Sequence, residues 1–127
     1  VPKANSQLSI LVIDDVDEMR LTVEQLIGFM KRFKVSGSCG STAQARLELT
    51  RRRPSLVLLD EVLPGESSLD FLSELVSEGI PVVLMTSLEN PTHALPAGAR
   101  LRIVKPGWKS LEEDAVRIEA QLLAVMA

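Results

Sequence analysis

Aromatic side chains make up only 3% of the 127-residue chain, so its core must be built from aliphatic residues. Cys39 is the only cysteine, which excludes an intrachain disulfide and gives no sign of an oxidising compartment. No apolar run approaches the roughly 18 residues that a membrane-spanning helix needs, and no signal peptide is visible. Positive charge is not in excess either: the net charge is −3, which argues against direct nucleic-acid binding. The one basic cluster, Arg51-Arg52-Arg53, falls where a helix should end, and cations there complement the helix dipole. That accounts for it better than a phosphate site does. The chain begins at Val1 rather than Met, which fits a processed or excised piece. A cytoplasmic domain without membrane contact is expected.

The apolar share of 46% is too high for a disordered chain. The length suits one core, so residues 1–127 are expected to form a single domain. Its folded core should begin at about residue 8, with 1–7 as an N-terminal extension. Ile10–Ile13, Leu56–Leu59 and Val82–Met85 are uninterrupted apolar runs of strand length, as in strands covered on both faces. Two further segments alternate instead. Phe33, Val35 and Cys39 interleave with Lys34, Ser36 and Ser38, while Leu101 and Ile103 flank Arg102, as at sheet edges. Met19, Val23, Leu26, Ile27 and Met30 form a helical stripe. Leu69, Leu72, Leu75 and Val76 form a second, and Leu111, Ala115, Ile118, Leu122 and Met126 a third. A weaker helix covers Ala43–Arg53. Ser41/Gln44 and Ser110/Glu113 have capping-box spacing. Alternating strands and helices predict an α/β fold. It should be a flavodoxin-like, doubly wound parallel (βα)5 sheet of order 2-1-3-4-5, with ligands bound beyond the carboxyl ends of the strands.

The residues at those ends are chemically pointed. Strand one ends in Asp14-Asp15, strand three in Asp60, strand four in Thr86-Ser87, and strand five in Lys105-Pro106. Strands one and three are neighbours, so the three aspartates should lie close together. Two carboxylates about 4 Å apart repel by on the order of 4 kcal/mol at an effective dielectric of 20. Either one stays protonated or a cation offsets the repulsion. Hard oxygen ligands suit Mg²⁺, Lys105 supplies a compact positive charge, and Thr86 supplies a hydroxyl donor. Such a set is suited to phosphoryl transfer, where catalysis is mainly positioning and charge stabilisation. An ionised carboxylate needs no histidine base, and His93, in a Pro-rich loop, is expected to be a surface residue. The loop Asp14-Asp15-Val16-Asp17 has no glycine and heavy negative charge, against a nucleotide or flavin site. The D-x-D aspartyl hydrolases do not match either, because Glu61 and Val62 follow Asp60.

With LVIDD at Leu11–Asp15, LVLLDEVLP at Leu56–Pro64, VVLMTS at Val82–Ser87 and VKP at Val104–Pro106, the chain resembles receiver domains of bacterial response regulators. The likeness runs from about Leu8 to Ala127. It implies that Asp60 is a phosphoacceptor, taking its group from a phosphohistidine on a sensor histidine kinase or phosphotransfer protein. It also implies that Asp15 ligands Mg²⁺ directly, Asp14 largely through water, and Val62 through its backbone carbonyl, with Asp60 completing the set. Thr86 would hydrogen-bond one phosphoryl oxygen and Lys105 would pair with another. Lys105–Pro106 would be a cis peptide. The domain would phosphorylate and dephosphorylate itself without turning over a separate substrate. Its signal would pass to an output domain or downstream protein through the fourth helix, fifth strand and last helix. Homodimerisation through the last helix stays open.

Four departures bear on that output surface. Arg102 stands where the family usually has an aromatic. Pro91 and Pro96 interrupt the short segment that should hold the fourth helix, and a mid-helix proline costs about 3 kcal/mol. That helix is therefore expected to be shortened or irregular. Ser68 stands near a usual glycine, and Gly107-Trp108 replaces the aromatic after the proline. The alternative is a degenerate receiver that serves only as a protein-interaction module. Glu61, Val62 and Ser87 flank the pocket as candidates for tuning hydrolysis.

Overall fold

Three apolar runs form the centre of a five-stranded parallel sheet. The computed structural model describes residues 6–88 and 93–126. Its strands are β1 (Leu8–Ile13), β2 (Phe33–Cys39), β3 (Leu56–Asp60), β4 (Val82–Thr86) and β5 (Leu101–Val104). Helices α1 (Asp17–Gly28), α2 (Thr42–Arg51) and α3 (Ser68–Ser77) connect the first four strands. Helix α4 (Leu111–Met126) closes the chain after a short 3-10 turn at Trp108–Ser110. The order is β2-β1-β3-β4-β5, with the two alternating segments at the edges as expected.

Successive side chains of a strand point to opposite faces, so each central run feeds two cores. Ile10, Val12, Leu56, Leu58, Val83, Met85 and Ile103 pack under α1 and α4. Leu11, Ile13, Val57, Leu59, Val82 and Leu84 pack under α2 and α3. Every position of β3 and β4 is buried. Truncating one such residue, Leu58→Ala, is expected to cost about 2–5 kcal/mol. No helix among the described residues is long and apolar enough to cross a membrane.

The helix patterns hold with local corrections. Met19 is half-buried and Val23, Leu26 and Ile27 of α1 are buried, with Met30 just beyond its end. On α3, Leu69 and Val76 are 55% and 41% exposed, while Phe71 is buried in their place. The leucine spacing admitted a stripe turned slightly off the true face, and the phenylalanine brings more apolar area inward. Ser41 caps α2, its Oγ accepting from the Gln44 N–H at 3.2 Å, and Gln44 Oε1 accepts from the Gly40 N–H at 2.8 Å. Ser110 instead donates its hydroxyl to Asp114 Oδ2 at 3.1 Å. The basic cluster does end α2: Arg51 lies in the last turn, Arg52 is extended, and Arg53 donates to the Glu78 carbonyl at 2.6 Å.

Between β4 and β5 no helix forms among residues 93–100, where the chain turns at Ala97-Gly98. Asn90 and Pro91 lie outside the described residues. Gly98 has φ +92°, and a Cβ there would come within 2.8 Å of Val76 Cγ2, so only glycine fits this close approach to α3. Among the described residues every peptide is trans, Lys105–Pro106 included, which corrects the expected cis form. The trans isomer of an X-Pro bond is favoured by about 0.5–1 kcal/mol.

Candidate functional site

Asp14 follows β1 and is fully buried. Its N–H donates to the Cys39 carbonyl at 3.0 Å, and its Oδ1 accepts from the Val16 N–H at 2.9 Å. Arg20 on α1 donates through Nη1 to the Asp14 carbonyl at 2.7 Å. Asp15, next along, is exposed. Asp60 ends β3 and is 4% exposed. Its Oδ1 accepts from the Val62 N–H at 3.0 Å, and the buried Ser68 hydroxyl donates to its carbonyl at 2.9 Å. The backbone around this carboxylate is thus pinned from two directions.

Lys105 joins these strands. Its N–H donates to the Thr86 carbonyl at 2.8 Å, tying the end of β5 to that of β4. Its long stem then carries Nζ to 3.0 Å from Asp60 Oδ2 and 2.8 Å from Asp14 Oδ2. One ammonium therefore bridges two carboxylates from strands that do not adjoin its own. Thr86 is buried, and its Oγ1 accepts from the Leu88 N–H at 3.1 Å, which leaves the hydroxyl proton for another acceptor.

Electrostatics follow from this crowding. Burial pushes the Asp60 carboxyl above its ordinary range, and the nearby Asp14 charge adds to the shift. The Val62 N–H and the Lys105 ammonium oppose it without cancelling it. Burial alone would lower the Lys105 pKa, but its close pairing with the Asp14 and Asp60 carboxylates outweighs that and raises it.

Carboxylate oxygens of Asp14, Asp15 and Asp60 lie within 4.8 Å of one another. Asp14 Oδ2 is buried and makes no hydrogen bond of ordinary geometry, although the ammonium is its ion-pair partner at 2.8 Å. Three acids thus share one ammonium, and one buried oxygen lacks a directed donor. Hard oxygen donors with surplus negative charge fit a divalent cation such as Mg²⁺.

A cleft of about 500 Å³ opens above this cluster, lined by Asp15, Asp60, Val62, Thr86 and Lys105 together with Glu61 and His93. A groove of about 540 Å³ between Phe29 and Trp108 carries none of these groups. All six residues expected at the site therefore gather at one rim, with Asp14 beneath the cleft. Val62 is 73% exposed and takes part here through its N–H. His93 is exposed as expected, yet it also lines the cleft.

Sequence reasoning missed three positioning groups. Ser68 figured only as a glycine replacement, and nothing in its context signals a bond to the Asp60 carbonyl. Arg20 figured not at all. Arg102 was noticed as an oddity, but its partner was not: Nε and Nη2 grip both oxygens of Glu61, the latter at 3.2 Å.

Known proteins share the sequence pattern and the fold. A family model described as the response regulator receiver domain matches residues 10–116. The probable transcriptional regulatory protein TcrX of Mycobacterium tuberculosis is 34% identical over 120 residues, covering 91% of this chain and 50% of its own length. A protein-glutamate methylesterase/protein-glutamine glutaminase of Hahella chejuensis is 29% identical over 119 residues, covering 87% of this chain and 32% of its own length. The chain spans half or less of these curated relatives. A chain in the crystal structure of the CheA3 P1 domain in complex with CheY6 from R. sphaeroides shares the fold. Its TM-score is 0.80 at 24% identity, over 94% of this chain and 98% of that one. With the matched model covering most of its length, this chain belongs to the response regulator receiver domain family.

Proposed function

We propose that Asp60 accepts a phosphoryl group and that the domain works as a switch governed by that modification. The observation that carries the reading is the Lys105 ammonium held between Asp60 and Asp14, at 3.0 and 2.8 Å. An Asp60 carboxylate oxygen attacks phosphorus while the P–N bond to a phosphohistidine breaks. The electron pair returns to the imidazole nitrogen, and the product is an acyl phosphate on Asp60. Charge on the equatorial phosphoryl oxygens meets the Lys105 ammonium and the Thr86 hydroxyl proton. Asp14, Asp15, Asp60 and the Val62 carbonyl would hold Mg²⁺. Bound there, the ion supplies positive charge against both the carboxylates and the phosphoryl oxygens. The domain acts only on itself and turns over no separate substrate.

The partner we infer is a protein carrying a phosphohistidine, either a sensor kinase or a phosphotransfer domain. The recorded complex of the CheA3 P1 domain with CheY6 supports a pairing of that kind. Because the curated relatives are longer, we assign the output to another module or a downstream protein. A cytoplasmic location goes with this reading.

The test is intact-mass spectrometry after incubation with phosphoramidate and MgCl₂. The wild-type chain should gain one phosphoryl group and Asp60→Asn should gain none. No gain in the wild type would favour the docking-only alternative, to which the absence of a helix among residues 93–100 lends support.

A further inference from the structure

Glu61 directly follows Asp60, and Arg102 lies on β5, with β4 between their strands. The guanidinium crosses β4 to reach the carboxylate in a bidentate grip, and the two side chains are only 10% and 19% exposed. It also donates through Nη1 to the His93 carbonyl at 2.8 Å and through Nη2 to the Ala94 carbonyl at 3.3 Å. Glu61 and His93 both line the Asp60 cleft. One side chain therefore fixes a charged group and a stretch of backbone on the same wall. Only a planar fork with five donors makes these contacts together; lysine cannot.

The charges around the cleft give the arrangement a consequence. Asp14, Asp15, Asp60 and Glu61 carry four negative charges, and Lys105 and Arg102 carry two positive ones, leaving two negative. That surplus matches one divalent cation. Losing Arg102 alone would raise it to three, and losing Glu61 alone would cut it to one. Metal is a cation and a phosphodonor is an anion, so either change acts on the two in opposite senses.

We propose that Arg102 is a positioning residue for the Asp60 reaction: it cancels the Glu61 charge and holds the His93–Ala94 backbone, so that an anionic phosphodonor can approach. This deepens the phosphoacceptor reading and rests on it. A clamp that merely supported the fold would behave differently, because its loss would weaken metal binding and phosphoryl uptake together.

Four proteins test it: the wild type, Arg102→Gln, Glu61→Gln and the double variant. Mg²⁺ affinity is measured by calorimetry, and the rate of mass gain from phosphoramidate is measured at saturating Mg²⁺. A unit charge within about one Debye length should shift each quantity roughly threefold to tenfold. Arg102→Gln should bind Mg²⁺ more tightly and take up phosphoryl more slowly. Glu61→Gln, which keeps the arginine on the two carbonyls, should do the reverse. The double variant, with the wild-type net charge, should return Mg²⁺ affinity to near the wild-type value and recover phosphoryl uptake only in part, because the His93 and Ala94 carbonyls have lost the guanidinium. Shifts in the same direction for metal and phosphodonor, or no shift in either, would overturn the proposal. Thermal melts identify a variant that fails to fold, and Glu61→Gln then decides the matter by itself. Should the wild type take up no phosphoryl group, the phosphoacceptor reading falls, and the Mg²⁺ titrations still decide whether this pair sets the charge of the cleft.

Discussion

The two walls of the Asp60 cleft are each held by a cation from β5 or its end, and they differ in kind. On one side the Lys105 ammonium is divided between Asp14 and Asp60, with Asp15 beside them. On the other, Arg102 meets a single carboxylate with two parallel contacts and uses its remaining donors on backbone carbonyls. The first wall is short of positive charge, and its buried Asp14 Oδ2 has the shared ammonium as an ion-pair partner without a hydrogen bond of ordinary geometry. The second is satisfied as it stands. A cluster that folding leaves electrostatically incomplete is where a ligand belongs, whereas a matched pair can only shape the ligand's surroundings.

The largest way to break this contrast is Lys105→Met. It strands two buried carboxylates, and unfolding by urea in EDTA should show a loss of about 3 kcal/mol. Added MgCl₂ should return more stability to this variant than to the wild type, because the metal then meets the surplus charge alone. Arg102→Gln should cost less, about 1–2 kcal/mol in the same measurement, since it strands one carboxylate rather than two and Glu61 is 19% exposed.

A pH series sharpens the comparison. Burial and Asp14 hold the Asp60 pKa above its ordinary value of 3.8, so without metal the folded state binds this proton more tightly than the unfolded chain. The group's contribution to stability is then full below 3.8 and is lost as pH rises through the raised value. Asp60→Asn lacks this loss. Near neutral pH and without metal it should melt higher than the wild type, with the difference vanishing in acid. Ser68→Ala should have the smallest effect, about 1 kcal/mol or less at any pH, from one lost hydrogen bond to the Asp60 carbonyl.

Much of this was legible in the sequence because strands carry their information locally. Three unbroken apolar runs and two alternating ones sufficed for the strand order, and the residue after each run then named the rim. What escaped depends on reach across the sheet. Arg102 and Glu61 are 41 positions apart, one on β5 and the other just past the end of β3, which does not adjoin β5, so no spacing links them. Ser68 looks like any residue at a helix start until its hydroxyl meets the Asp60 carbonyl. Phe71 was passed over because leucines at helical intervals drew the stripe to Leu69, which the fold leaves exposed. The cis peptide at Lys105–Pro106 was an inference from resemblance alone, and the backbone is trans.

The most direct measurement is peptide mapping of the chain after phosphoramidate treatment, with MgCl₂ and with EDTA. A phosphoryl group found on the peptide bearing Asp60, in the Mg²⁺ sample alone, is the predicted result. Label on any other residue, or equal label in EDTA, would contradict a nucleophile poised between Lys105 and a metal.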